Sequence, residues 1–397
     1  MWNIFDGGYL YYRILILILH ILTTIILYHL FYATGFSRKS SALSALIFAV
    51  MACHSETLYS VYSINEILAA LFTFTGLYIF LADFRFKNII SALMFLTAVL
   101  SRESAFCFIP LIFLFNLKSK KHRSGEGIMI SFAVTAIYAV LRFISYINYI
   151  DLYEAGSFGK LQLNLLLIIY KAIHFFINMI FPVKSILYIT GFEYYEMFRN
   201  AIINPGQDVM LFTGLALVLT AITGIIFTVL FKINKKIFLF PLLIAFFGLI
   251  VYLPFEGTAE RFLYLPSAGI ALSAGLFCFE LINKKFKLAY PLIIFILLVY
   301  SFSIYQRAGI WREASVRTSG TVENIFNLTA NNAEIKNVLL TDVPTIINGV
   351  YFINQYNFNH IWKYHYPDSQ IKFIFYELPA DMSADLILKY SDFELKQ

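Results

Sequence analysis

Charged and polar side chains bordering long apolar runs are the first feature of this sequence with chemical content. His54 and Glu56, Asn65 and Glu66, Arg102 and Glu103, and Glu260 and Arg261 each fall at the end of such a run. Ionisable groups inside or beside membrane segments are expensive to keep and face a cavity or a partner rather than lipid. A carboxylate can accept a proton from a hydroxyl or orient a cation. A guanidinium presents a planar fork that matches phosphate and carboxylate. Four chain segments that bring both kinds of group to one side of a membrane have the composition of a site for a polar substrate.

Each pair has a plainer reading. Arg102 and Glu103 would form a structural ion pair at a helix turn. Glu260 and Arg261 would cap the helix that Leu265 begins, since acidic groups suit a helix N-terminus. His54 would be a packed interfacial histidine and Glu66 a solvated loop residue. Arg142, in VLRF, would snorkel toward the interface. His20 and His29 lie within an apolar run without acidic partners and read as packing residues. Metal-ligand spacing is absent: there is no HExxH, no DxD and no paired histidine at i, i+4.

The composition says what must position these groups. Of 397 residues, 60% are hydrophobic and 14% charged. A soluble domain is about 45–50% apolar and about 25% charged. Mean hydropathy is +0.73. Most of the chain therefore need not face water. The net charge of +6 comes from short clusters between apolar runs, not from one basic face. That pattern marks cytoplasmic loops and not a nucleic-acid surface. Cys53, Cys107 and Cys278 all lie within apolar runs, so neither a disulfide framework nor a CxxC metal site is indicated.

A spanning helix needs about 20 apolar residues. Ten segments read as candidate spans: Tyr9 to Tyr32, Ala42 to Leu58, Ser63 to Asp83, Asn88 to Ser101, Ser104 to Leu117, Gly127 to Ile147, Val209 to Phe231, Ile237 to Leu253, Leu265 to Asn283 and Leu288 to Tyr305. The fourth and fifth are short enough to be a hairpin of half-buried helices with Ser101 to Ser104 at its tip. Five basic connections, RK at 38, RFK at 85, KSKKHR at 118, KINKK at 232 and NKKFK at 283, are expected in the cytoplasm. The connections carrying the site candidates, Met1 and the C-terminal tail then fall outside. Leu161 to Pro182 is long enough to span but would break the alternation. Lys171, His174 and Asn178 make one polar stripe along it, which reads as an interfacial or re-entrant helix; an eleventh span is the alternative. After Tyr305 the composition becomes that of soluble sequence, with strand-like runs NVLLTDV, GVYFIN and KFIFYEL. The expected organisation is a membrane region over 1–305 and a small α/β extracytoplasmic domain over 306–397.

ERFLYLPSAG, from Glu260 to Gly269, resembles the D/E-R-Y/F-L-Y-L-P-S-x-G signature of multi-spanning (GT-C type) glycosyltransferases. Within that superfamily it looks most like the transmembrane-and-tetratricopeptide-repeat O-mannosyltransferases and their bacterial relatives. LSRESAFCFIPLIFLF, from Leu100, is similar to that family's L-S-K-E-x-A-x-x-x-P-L run. CHSETLYSVYSINEILAALF, from Cys53, is similar to its H-x-E followed by G-R-x-D-x-L-A-A-L-F. The three occur in the family's order. The sequence departs from the pattern at Asn65, where the family has a basic residue, and at Met51-Ala52, where it has H-P. The tail lacks a tetratricopeptide pattern. The first apolar run looks like the family's second span, so a further span and an outer loop with the catalytic acid are expected upstream. Asp6 is the one acidic residue before the first run. It reads as a remnant of that loop, a substitute base or a plain turn.

The resemblance implies an all-α polytopic membrane protein of GT-C-like fold in the cytoplasmic membrane. It implies a donor sugar on a polyprenyl phosphate in the outer leaflet and a protein or glycan acceptor, with no cofactor and no nucleic acid. A carboxylate accepts the proton of the acceptor hydroxyl as its oxygen attacks the anomeric carbon, and the lipid phosphate leaves. Arg261 and Arg102 are the expected phosphate ligands. Glu56, Glu103, Glu260 and Asp6 are the catalytic candidates. His54, Glu66 and Tyr264 are expected to bind substrate beside them. A transporter or flippase of lipid-linked or polar solutes, or a truncated inactive paralogue, are the alternative readings.

Overall fold

The computed structural model describes residues 9–118, 125–148, 165–182, 185, 218, 221, 239–254, 259–329, 335–343, 346–347, 350–351, 355–375 and 384–389. The described residues are mostly helical, with one small sheet and one short strand pair. The chain divides into two compact units: Met1–Lys184 with Met210–Ile304, and Ser185–Val209 with Tyr305–Gln397.

Among the described residues, three helices are long and apolar enough to cross a membrane: Leu10–Ala33, Val61–Leu81 and Ala289–Thr329. A fourth would be the pair Arg38–Val50 and Ala52–Tyr59, bent by 49°. Ten spans were expected, and the described residues show fewer of that length. Lys87–Ser101, Glu103–Phe115, Leu239–Ile250 and Ser267–Asn283 are shorter apolar helices. The candidate at 209–231 lies almost wholly outside the described residues. In place of the expected hairpin at Ser101, Lys87–Ser101 and Phe108–Lys118 are joined through a 3-10 turn over Glu103–Cys107, and both pack against Ile64–Leu81. The last apolar helix runs on through Gln306 to Thr329, where the composition alone suggested the soluble domain begins.

Several helices carry their apolar residues on the open side. Along Tyr9–Ala33, Leu10, Ile14, Leu17, Ile18, Ile21 and Ile25 are exposed, whereas His20 and Thr23 are buried. On Leu165–Ile180 the polar stripe of Lys171, His174 and Asn178 points inward, and Leu165, Ile169 and Ile173 face out. The helix's 16 described residues rise about 24 Å, short of a hydrocarbon core about 30 Å thick.

Small residues bring the helices of this unit close. Ser40, Ser41, Ser44 and Ala45 are buried on Arg38–Val50, which packs along Ser267–Asn283. A Cβ on Gly275 would meet the Ser44 hydroxyl and lie 2.6 Å from the Ser44 backbone nitrogen. A Cβ on Gly269, the glycine that closes ERFLYLPSAG, would lie 2.5 Å from the Ala245 nitrogen. Backbone cannot swing aside as a side chain can. Gly275→Ala is therefore expected to destabilise the protein by about 1–3 kcal/mol through overpacking. That outweighs the roughly 0.5–1 kcal/mol that alanine gains in a helix interior. Unfolding in detergent would register this as a lower midpoint.

The second unit contains a parallel three-stranded sheet, ordered β4–β1–β5, with β1 at Asn337–Thr341, β4 at Lys372–Phe375 and β5 at Leu386–Lys389. Asn337 pairs with Lys372, and Val338 with Leu386. Helix Gln355–His365 lies between β1 and β4 in sequence, as a parallel crossover requires. The short antiparallel pair β2, Ile346–Ile347, and β3, Val350–Tyr351, precedes that helix. Val338, Leu340, Phe358, Trp362, Phe373 and Phe375 form the core with Ile325. At the sheet's edge the Asp385 carboxylate accepts the backbone N–H groups of Lys336 and Asn337, both at 2.8 Å. Those bonds favour its charged form and lower its pKa.

Candidate substrate site

Three consecutive residues at the bent helix pair grip the ERFLYLPS segment. The chain is extended at Met51, which interrupts the helix and lets His54, Ser55 and Glu56 face residues 260–267. The Ser55 hydroxyl donates to Glu260 Oε2 at 2.7 Å. Glu56 takes two bonds from one partner: the Arg261 backbone N–H reaches Oε2 at 3.3 Å and its guanidinium Nη1 lies 3.2 Å from Oε1. His54 Nε2 lies 2.8 Å from the Ser267 hydroxyl, which itself donates to the Tyr264 carbonyl at 2.7 Å. A hydroxyl has one proton to give, so His54 Nε2 is the donor in this chain.

The segment they hold is a 3-10 turn over Glu260–Leu263, followed by the helix Ser267–Asn283 with Pro266 at its N-cap. Proline suits that place, since the first helical N–H groups have no intrahelical partner. Tyr264 is wholly buried, and its hydroxyl lies 2.8 Å from His20 Nδ1. The other His20 nitrogen donates to the Ala49 carbonyl at 3.0 Å, so Nδ1 accepts from Tyr264. Tyr264 and His54, both expected to bind substrate, are each bonded to a buried partner within the protein. His20, read as packing, is the partner of Tyr264.

A second ion pair lies along the neighbouring turn. Arg102 Nε stands 3.0 Å from Glu66 Oε1. Glu66 Oε2 accepts the Ser104 hydroxyl at 3.2 Å and the Tyr252 hydroxyl at 2.7 Å. Arg102 therefore does not pair with its neighbour Glu103, because the extended backbone at Arg102 turns the two side chains apart. Glu66 is buried and not a solvated loop residue. Glu103 instead meets Arg142 at 2.9 Å and the Tyr138 hydroxyl at 3.2 Å, so Arg142 does more than snorkel. The Tyr252 ring stacks on Phe262 at 4.6 Å, and the Arg261 guanidinium lies 5.5 Å from the Phe262 centroid. The two ion pairs are thereby joined into one wall.

The wall has a definite polarity. The Glu66 and Glu56 side chains are 3% and 7% exposed, whereas their partners Arg102 and Arg261 are 36% and 25% exposed. Buried carboxylates stand behind and half-open guanidinium groups stand in front. A guanidinium has five N–H donors, and a carboxylate fixing it from one side leaves a fixed fork facing the other. The acceptor oxygens of an anion match such a fork. Glu56 and Glu66 each hold an arginine with their own oxygens. Comparison with family models, with curated proteins and with solved structures finds no match.

Glu103 differs from these two. Its side chain is 43% exposed and its partner Arg142 is 36% exposed. An ion pair this open contributes about 0–1 kcal/mol. Glu103→Gln is expected to leave the unfolding midpoint in detergent almost unchanged, and a large drop would show that the Arg142 contact is structural. Asp6 lies outside the described residues. Sequence reasoning missed Ser55, Ser104, Tyr252 and Ser267. Ser55, Ser104 and Ser267 sit inside the quoted motifs, so the signal was present but carried no charge to draw notice. Tyr252 is marked by nothing local; only the fold brings it to Glu66.

Proposed function

We propose that this chain is a multi-spanning membrane glycosyltransferase of GT-C type. It moves a sugar from a polyprenyl-phosphate donor to an acceptor hydroxyl on the outer side of the cytoplasmic membrane. The observation that carries this reading is the pair of arginines, Arg102 and Arg261, each fixed from behind by a buried carboxylate. That arrangement suits a leaving lipid phosphate, an anion with several acceptor oxygens. As the acceptor oxygen bonds to the anomeric carbon, the bond from that carbon to the phosphate oxygen breaks. The lipid phosphate leaves against the two guanidinium groups. The acceptor's proton goes to a carboxylate. Of Glu56, Glu66, Glu103 and Glu260, Glu103 is the one most open to an acceptor.

Two further features support the membrane setting. Helices with apolar residues outward and polar residues inward suit a lipid solvent. Basic residues also stand at the helix ends away from the wall. Arg38 and Lys39 open the helix whose far end leads to His54. Lys87 opens the helix that ends before Arg102, and Lys284 follows the helix that starts after Arg261. A cytoplasmic basic side then leaves the wall outside. KINKK, and KSKKHR beyond Lys118, lie outside the described residues.

The test is turnover in a bilayer. Purified protein in nanodiscs with a polyprenyl-phosphate hexose and a mixture of candidate acceptors should release polyprenyl phosphate as sugar is transferred. In proteoliposomes, protein-dependent movement of the intact lipid-linked sugar across the membrane, with no transfer, would instead favour a flippase.

A further inference from the structure

We infer that Tyr138 and Arg142 are positioning residues for the proton transfer, holding Glu103 by one oxygen so that the other, Oε2, takes the acceptor's proton. The inference rests on the glycosyl-transfer reading above, in which Glu103 is the carboxylate most open to an acceptor. Tyr138 and Arg142 stand at i and i+4 on the helix Gly125–Asn148, so they share one face. On the same helix Val134 and Tyr138 are buried, whereas Leu141, Phe143 and Ile144 are exposed. The helix packs against Lys87–Ser101 and Phe108–Lys118, which lie on either side of Glu103 in sequence.

The bonding to Glu103 is one-sided. The Tyr138 hydroxyl donates to Oε1 at 3.2 Å, and Arg142 Nη2 lies 2.9 Å from the same oxygen. Among the described residues nothing bonds Oε2. The Glu103 side chain is 43% exposed, so the unbonded oxygen is the one left for an incoming hydroxyl. A carboxylate on so open a side chain otherwise rotates. Two donors from one helix, converging on one oxygen, restrict that rotation. An ion pair this open adds little to stability. What the two donors supply is geometry, and a proton acceptor depends on it, since it must come within about 2.6–3.2 Å of the oxygen that gives the proton. In the step itself the acceptor oxygen bonds to the anomeric carbon. The bond from that carbon to the phosphate oxygen breaks, its electron pair stays on the phosphate, and the proton passes to Glu103 Oε2.

A double-mutant cycle separates positioning from a merely structural role. The measurement is polyprenyl phosphate release by the full chain in nanodiscs, from a polyprenyl-phosphate hexose with a threonine peptide and a methyl hexoside as acceptors. Glu103→Gln is expected to lower kcat about 10²–10⁴-fold, as for loss of a general base. Tyr138→Phe removes only the hydroxyl and keeps the ring against Phe106. It is expected to lower kcat about tenfold with the KM for donor unchanged, within the roughly hundredfold that a misplacement of about 1 Å can cost. Arg142→Gln should act in the same direction. In the Glu103→Gln background neither change should cost anything further, because both act through that carboxylate. Equal losses in the two backgrounds would overturn the inference, since the contacts would then be structural. Wild-type kcat in both Tyr138→Phe and Arg142→Gln would overturn it as well. Unchanged transfer by Glu103→Gln would overturn it together with the choice of base, and leave the phosphate reading standing. Wild type that releases no polyprenyl phosphate would overturn both this inference and the reading it rests on.

Discussion

Replacing Arg261 by alanine is expected to abolish most sugar transfer from a polyprenyl-phosphate donor. Truncating one partner of a buried charge-assisted contact costs about 2–5 kcal/mol, and two such contacts converge here. One is the pair with Glu56; the other is the leaving phosphate. Arg261→Lys should also lose transfer, toward the lower end of that range, because an ammonium keeps the charge but not the bidentate fork. The Glu56 bond to the Arg261 backbone N–H survives either change, so the turn over Glu260–Leu263 keeps one of its fastenings. Initial rates at equal amounts of folded protein give the comparison. Unchanged transfer by Arg261→Ala would remove this residue from the mechanism.

The second large effect is on stability. Glu66 accepts from Ser104 and Tyr252 and pairs with Arg102, while its own side chain is almost closed to solvent. Glu66→Ala leaves the Tyr252 hydroxyl without its acceptor and Arg102 without its carboxylate. Breaking a buried ion pair by deleting one partner costs about 3–5 kcal/mol. Arg102 is partly open to water and can be solvated, so a loss of about 2–3 kcal/mol is expected. Glu66→Gln should lose less, because an amide oxygen still accepts from Tyr252. Chemical denaturation in detergent would measure both. Equal stability of Glu66→Ala and wild type would mean that these bonds contribute nothing.

The site was partly legible in the sequence because charge against an apolar background is conspicuous. Glu56, Glu66, Arg102, Glu260 and Arg261 all stand out for that reason, and the fold brings all of them into one unit. Their pairing was not legible. Arg102 and Glu103 are adjacent and invite a local ion pair, yet the extended backbone at Arg102 sends one to Glu66 and the other to Arg142. Roles were less legible still, since burial separates a positioning carboxylate from an open one and no spacing rule reports burial. His54 and Tyr264 read as substrate-binding and Glu56 as catalytic, and each is bonded to a neighbouring segment of the protein. The polar stripe at Lys171 was visible by its spacing, but which way it faced depended on whether the surrounding solvent was water or lipid. In the tail, the runs at 337, 350 and 372 each contain a strand. The helical stretch from 306 to 329 went unread because polar residues there mask its continuity with the apolar helix before it.

The central claim is that Arg102 and Arg261, fixed from behind by buried carboxylates, hold a lipid phosphate. Its most direct test is the affinity of the purified chain in nanodiscs for polyprenyl phosphate, compared with an Arg102→Ala, Arg261→Ala double variant of unchanged fold. The account predicts saturable binding by wild type and a loss of about a hundredfold or more in the variant, from two charge-assisted contacts at about 1.5–3 kcal/mol each. Equal binding by the two proteins, or no binding by wild type, would contradict it.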